Sequence, residues 1–302
     1  MGFAFASGGF LPGPVGLGAT ALAVLLVLRI TLAERPWGAL SAGYVAGAAA
    51  LGLLAGWTLV SATWSDAPAR AVTEYDRVLL YLLGFVVLGA VGRTPGRLRW
   101  IVRGVAAGAF AVCLCGLVTR LAPDVWPIDP AVGADRLSYP MGYWNALGLL
   151  AAIGCVSALA LTSDDREAPI VRVLAAASPP VLGPTLLLTF SRGGILAGAV
   201  GVIALIVVGR PRALLSGLIV TVPAVAVAAA STYGAELLAT KHPTTAAATA
   251  QGHRVAVVVA VCAVLAAVVR AALLLLDRRM QGLRVPAALR RPARPSCPPP
   301  GA

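Results

Sequence analysis

Arg192 stands between two long apolar runs in LLLTFSRGGILAGAVGVIALIVVGR, with hydroxyls at Thr189 and Ser191 before it and glycines at Gly193 and Gly194 after it. A guanidinium is permanently charged and carries five donors in a planar fork that matches phosphate oxygens. At membrane depth such a group faces a bundle interior or a wet cavity. The glycines leave room for a bulky head group against the backbone, and the hydroxyls add donors. Pro179, Pro180 and Pro184 interrupt the helical ladder just before the motif and predict a bent helix. The set describes a site for a lipid-linked phosphate. An arginine that snorkels to water at the end of a span accounts for the same residues without a ligand.

A second constellation lies in RLSYPMGYWNALGLLAAIG, from Arg136 to Gly154. Asn145 is the expected N-cap of a helix, with Tyr143 and Trp144 at the membrane interface. Arg136 is either a second phosphate contact or a solvated loop residue. The five cysteines form no Cys-x-x-Cys pair and no Cys/His spacing, so neither a metal nor a cofactor is expected.

The elements that must hold these residues follow from composition. The chain has 302 residues, is 59% hydrophobic and only 12% charged, and has a mean hydropathy of +0.88. Soluble domains run at about 45–50% apolar and about 25% charged, so this is a polytopic membrane protein. Runs of Ala, Leu, Val and Gly without alternation select an all-α transmembrane bundle over a barrel. About nine spans are predicted, near 13–32, 39–60, 78–92, 101–118, 145–161, 171–189, 194–209, 213–230 and 255–276. They make up a transmembrane domain over 1–280. Residues 281–302, LRVPAALRRPARPSCPPPGA with two residues more before it, read as an Arg/Pro-rich disordered tail.

The net charge of +12 does not point to nucleic acid, because the arginines collect in alternate loops. One set holds Arg29 and Arg35, Arg93 to Arg103, Arg166 and Arg172, Arg210 and Arg212, and a tail group that begins with Arg270. Acids balance the basic residues in the other loops. The arginine-rich set is therefore expected in the cytoplasm, the N-terminus outside and Arg192 at the outer end of its span. Trp64, Trp126, Tyr139, Tyr143 and Trp144 gather on that outer side, as an aromatic belt does. The N-terminus lacks the charged region of a cleavable signal peptide.

The ordered pair YPMGYWNALG and LTFSRGG, set between apolar helices, resembles the O-antigen ligase and O-antigen polymerase family of bacterial membrane proteins. SATWSDAPARAVTEYDRVLLYLLGF upstream resembles the outer loop and following helix of its actinobacterial members, and the likeness extends over roughly residues 20–280. The resemblance implies a multi-pass protein of the bacterial plasma membrane. It would transfer a glycan from an undecaprenyl-diphosphate donor to an acceptor on the outer side, in surface polysaccharide or glycoconjugate assembly. It gives Arg192 the donor diphosphate and makes Arg254, in QGHR, the nearest match to a second family arginine. An aromatic usually follows in the family, whereas VAVVVAVC follows here. The family continues into a large outer loop with a histidine held to activate the acceptor. This chain has only His242 and His253, which makes a C-terminally shortened member the expectation, with His253 its weak catalytic candidate.

Two other readings are compatible with the residues. One is a non-catalytic subunit that binds lipid phosphate during assembly. The other is a secondary transporter, against which stand the absence of an internal repeat and the near absence of acids between the motifs.

Overall fold

Each apolar run becomes a helix, since within a bilayer a backbone must satisfy its own N–H and C=O groups. The computed structural model describes residues 2–6, 8, 12–32, 41–90, 95–128, 135–209, 211, 213–240 and 244–282. Its helices are α1 (Pro12–Leu32), α2 (Ala42–Ser61), α3 (Pro68–Ala90), α4 (Pro95–Leu121), α5 (Trp144–Ser163), α6 (Pro169–Ala177), α7 (Pro179–Leu188), α8 (Arg192–Ala204), α9 (Leu214–Tyr233) and α10 (Ala246–Gly282). A π-helical turn, Leu205–Gly209, extends α8, and a 3-10 turn, Glu236–Ala239, precedes α10. No strand occurs among the described residues. Eight segments are long and apolar enough to cross a membrane, with α6 and α7 counted together. The described chain is thus a polytopic helical membrane bundle.

The bend expected from the three prolines is present. Helix α6 stops at Ala177 and α7 restarts at Pro179, with Pro184 inside α7. Proline lacks the N–H that would continue the ladder across Ser178. The hydroxyl of Thr185 donates to the Val181 carbonyl beside the break (2.9 Å), and Ser178 donates to Ala175 (3.0 Å).

From α4 onward, with α6 and α7 taken as one span, successive spans run in opposite directions, so their ends gather at two poles. At one, the Leu137 N–H donates to the Leu188 carbonyl (2.8 Å), Arg120 donates to the Leu238 carbonyl (3.0 Å) and His253 meets Asp124. Trp126 packs edge-on to Tyr139, as does Phe5, which brings the start of the chain to this aromatic pole. At the other, Arg99 donates to the Arg166 carbonyl (3.2 Å), Arg103 pairs with Glu167, and the Ala213 N–H donates to the Ser163 carbonyl (3.2 Å). Between the poles a core of α4, α5, α7, α9 and α10 closes over Cys113, Leu117, Leu147, Leu182 and Ala228. Helices α1 and α2 both pack on α3, with Tyr44 stacked on Phe85 at 4.8 Å.

Three sequence boundaries need correction. Helix α3 starts at Pro68, ten residues before the predicted span at Val78, because a proline at its start, an alanine-rich turn and the Glu74–Arg77 pair (2.6 Å) sustain helix through charged residues. Helix α4 starts at Pro95, so Arg97, Arg99 and Arg103 ride on its first turns instead of a loop. Arg270 does not belong to a solvated tail. It is fully buried, and its guanidinium donates to the Ser216 hydroxyl (2.9 Å) and to the Thr162 carbonyl at the end of α5. Helix α10 runs to Gly282, two residues past the expected end of the transmembrane domain; 283–302, nearly all of the predicted tail, lie outside the described residues, as do Arg35, Arg93, Arg210, Arg212 and His242.

Candidate functional site

The two motifs meet. Gly148 on α5 lies so close to the α7–α8 turn that a Cβ there would stand 2.7 Å from Ser191 Cβ and 2.8 Å from Thr189 Oγ1. A Cβ on Gly194 would in turn stand 2.9 Å from the Gly148 carbonyl carbon. Two glycines let helix backbones approach where any side chain would hold them apart. The Leu137–Leu188 hydrogen bond ties the loop that precedes α5 to the same turn. Sequence reading placed both motifs at the outer end of their spans but gave no contact between them.

The hydroxyls expected to face a ligand serve the turn instead. Ser191 is buried and caps α8, its Oγ accepting from the Gly194 N–H (3.1 Å). Thr189, also buried, donates to the Leu186 carbonyl (2.6 Å) and accepts from the Ser191 N–H (3.3 Å). A helix start leaves orphan N–H groups, and the nearest hydroxyl in reach satisfies one before any ligand arrives. Ser191→Ala is accordingly expected to cost about 1 kcal/mol of stability, read as a lower unfolding midpoint in detergent with binding at Arg192 retained.

The glycines also divide their duties. Gly194 is spent on the contact with α5, while Gly193 is exposed with nothing within 4 Å of where a Cβ would lie. Arg192 is the first residue of α8 and is exposed, without a hydrogen bond or ion pair among the described residues. Its guanidinium, the open space over Gly193 and the positive end of the α8 dipole therefore coincide. Phe190, just before, has φ +50° and a half-exposed ring. A phenylalanine in the left-handed region is strained, and such residues collect at functional turns. Nothing in the sequence marked it, because its type suits an ordinary apolar position.

Asn145 is not the cap of α5. The helix begins one residue earlier, at Trp144, with Tyr143 as an N-cap that makes no side-chain bond. Two residues inward from the cap position, the Asn145 side chain does not cap the helix start, and its amide donates to the Tyr143 hydroxyl (2.9 Å). Tyr143 and Trp144 are adjacent rings at 5.6 Å, the first half-exposed and the second partly buried at the pole, as an interfacial pair. Arg136 stacks over Trp144 at 5.1 Å and lies 3.9 Å from the Asp135 carboxylate. Its charge is thus partly answered before a phosphate is considered.

His253 and Arg254 sit elsewhere. They were placed in a loop, but α10 begins at Ala246, where Thr245 accepts from the Ala248 N–H (3.2 Å) and an alanine-rich stretch propagates the helix. The His253 ring meets Asp124 at 2.9 Å, with both groups about half exposed. Desolvation pulls the Asp124 carboxyl upward, yet the hydrogen bond from His253, bonds from the backbone and the imidazole's charge outweigh it and hold the group below the usual carboxylate range. Arg254 donates within its own helix to the Ala250 carbonyl (3.4 Å). Helix α8 packs chiefly on α5, whereas α10 packs on α4, α6, α7 and α9. The structure therefore puts Arg192 with Thr189, Ser191, Gly193 and Gly194 on one turn against α5, Arg136, Tyr143 and Asn145 at the start of α5, and His253 and Arg254 on α10.

The described residues hold no group of three or more His, Cys, Asp or Glu able to ligate a metal, and Cys113, Cys115, Cys155 and Cys262 are free. No protein-family model, curated protein or solved structure matches this chain.

Proposed function

We propose that the protein binds a polyprenyl-diphosphate-linked glycan at the aromatic pole and takes part in its transfer to an acceptor outside the cytoplasmic membrane, as an O-antigen ligase- or polymerase-like protein. One observation carries this reading: Arg192 stands exposed, without a partner among the described residues, at the open start of α8, on the turn that both motifs build. The positive-inside rule puts the arginine pole in the cytoplasm and this turn at the outer leaflet, where a lipid-linked glycan is presented. A diphosphate there meets a fork of donors, backbone N–H groups and space beside Gly193. The exposed ring of Tyr143 offers a flat face to sugar rings beside it.

In such a transfer the acceptor hydroxyl forms the new bond to the anomeric carbon while the bond from that carbon to the diphosphate oxygen breaks. The leaving diphosphate gathers negative charge, which Arg192 and the α8 dipole oppose. The acceptor's proton needs a base. The engagement of His253 by Asp124 favours a second reading in which this chain holds the donor and another polypeptide supplies that base.

A host whose surface glycan depends on the protein tests the assignment. Arg192→Ala is expected to reduce glycan abundance or length at least tenfold while the protein stays at normal levels in the membrane, because an exposed side chain with no partner contributes little to folding. Unchanged glycan would remove Arg192 from the reaction.

A further inference from the structure

At the arginine pole, across the bundle from Arg192, helix α6 begins without a side-chain cap. Its N-cap is Ala168, which has nothing to accept a hydrogen bond, and Pro169 follows at the first helical position. Proline has no N–H to satisfy, and the Arg172 N–H returns to the Ala168 carbonyl (3.1 Å). The orphan donors of this turn are therefore the N–H groups of Ile170 and Val171. Arg172 stands over them, because a helical side chain leans toward the N-terminus of its own helix. The residue is 8% exposed and is held against the end of α5. The Thr162 hydroxyl donates to the Arg172 carbonyl (3.0 Å), and Arg172 Nε donates to the Thr162 carbonyl (3.4 Å). Its two Nη groups have no hydrogen bond or ion pair among the described residues, and neither is sealed from solvent. Charged donors so nearly buried call for an acceptor.

The field over this turn is positive. Arg270 lies sealed behind it, with its guanidinium on the same Thr162 carbonyl. The end of α5 offers about half an elementary charge of negative sign, against two guanidiniums and the positive start of α6. Carboxylates do not make up the difference. The start of α4, the loop after α5 and the start of α6 carry Arg97, Arg99, Arg103, Arg166 and Arg172, joined by Arg270 from α10, against Asp164, Asp165 and Glu167. Glu167, the carboxylate next to the turn, is taken up by Arg103, and Asp164 accepts from the Arg166 N–H (3.0 Å).

We propose that the start of α6 binds a phosphate group between the Nη donors of Arg172 and the N–H groups of Ile170 and Val171. The guanidinium fork and the helix start present donors to different oxygens of one anion, which a tetrahedral phosphate can use and a halide cannot. Arg270 adds charge from behind without touching the ligand. Two sources bring such a group to this depth, an anionic phospholipid of the leaflet at this pole and free phosphate. The site lies on the opposite face from Arg192 and does not rest on the reading of that turn.

The test follows the unfolding midpoint of the purified full chain in detergent as inorganic phosphate replaces chloride at matched ionic strength. In parallel, native mass spectrometry counts the phosphatidylglycerol and phosphatidylcholine that the chain retains. A midpoint that rises with phosphate identifies the free anion as a ligand, and retention of phosphatidylglycerol about tenfold above phosphatidylcholine identifies the lipid. Arg172→Gln is expected to weaken the phosphate response at least tenfold and to bring the two lipids to equal retention. Ala168 is exposed, so Ala168→Asp leaves the packing alone and sets a carboxylate on the orphan N–H groups. It should raise the midpoint in chloride and abolish both responses. No response to phosphate together with equal retention of the two lipids would overturn the assignment, as would a response that survives Arg172→Gln or Ala168→Asp.

Discussion

Gly148→Val is expected to lower the unfolding midpoint sharply, while Gly193→Ala, only a few residues from the same contact, leaves it unchanged or raises it. Even the first carbon of a side chain at Gly148 would stand 2.7 Å from Ser191 Cβ and 2.8 Å from Thr189 Oγ1, both buried and both committed to the turn. Neither can yield without giving up the cap of α8 or the bond to the Leu186 carbonyl. Overpacking of this kind costs about 1–3 kcal/mol, and valine adds two further methyl groups in the same gap. Gly193 has open space instead, and alanine in a helix is about 1 kcal/mol more favourable than glycine. Scanning fluorimetry of the two variants in one detergent separates them. Similar midpoints would mean that α5 does not rest on the turn.

Arg270→Ala is expected to destabilise the bundle by about 3–5 kcal/mol, the sum of two charge-assisted hydrogen bonds and the cavity left behind. This guanidinium joins the end of α5, through the Thr162 carbonyl, to the start of α9, through Ser216. A cation is tolerated in the interior only when it is partnered, and here one guanidinium nitrogen bonds Ser216 and another closes the last turn of a helix whose dipole is negative at that end. Arg172 reinforces the same carbonyl at 3.4 Å. Lysine carries the charge but not the fork, so Arg270→Lys is expected to recover only part of the loss. Arg70→Ala, an exposed arginine on α3, should change the midpoint by no more than about 0.5 kcal/mol.

The contrast between Arg70 and Arg270 illustrates what the sequence conveys and what it withholds. Apolar runs specified helices and their approximate number, since in a bilayer hydrophobicity over some twenty residues is nearly the whole signal. The proline-induced break before Thr189 followed from the same rules. Charge within a helix did not follow. Arg70, Arg97, Arg103 and Arg270 look alike in a list of basic residues, yet Arg70 and Arg97 lie on turns beyond the predicted spans, Arg103 pairs with Glu167 and Arg270 is fully buried. Hydropathy averages over a window and cannot tell a snorkelling arginine from one that caps a neighbouring helix.

The site was legible in a similar, partial way. Arg192 and Gly193 emerged from residue type and setting. The inward roles of Ser191 and Thr189 depend on which orphan N–H lies within 3.5 Å, which is decided by the turn and not by composition. The pairing of Gly148 with Gly194 is a tertiary fact with no local trace. His253 falls before the predicted span at 255, while the alanines from Ala246 on already carry helix.

The most direct test of the account is the affinity of the purified full chain for a polyprenyl diphosphate, measured beside Arg192→Ala and Arg192→Lys at one ionic strength. A charge-assisted phosphate contact contributes about 1.5–3 kcal/mol, so Arg192→Ala should bind at least tenfold more weakly, with Arg192→Lys between it and the parent. Equal affinity of the parent and Arg192→Ala, with both folded, would contradict the assignment of this turn as the diphosphate site.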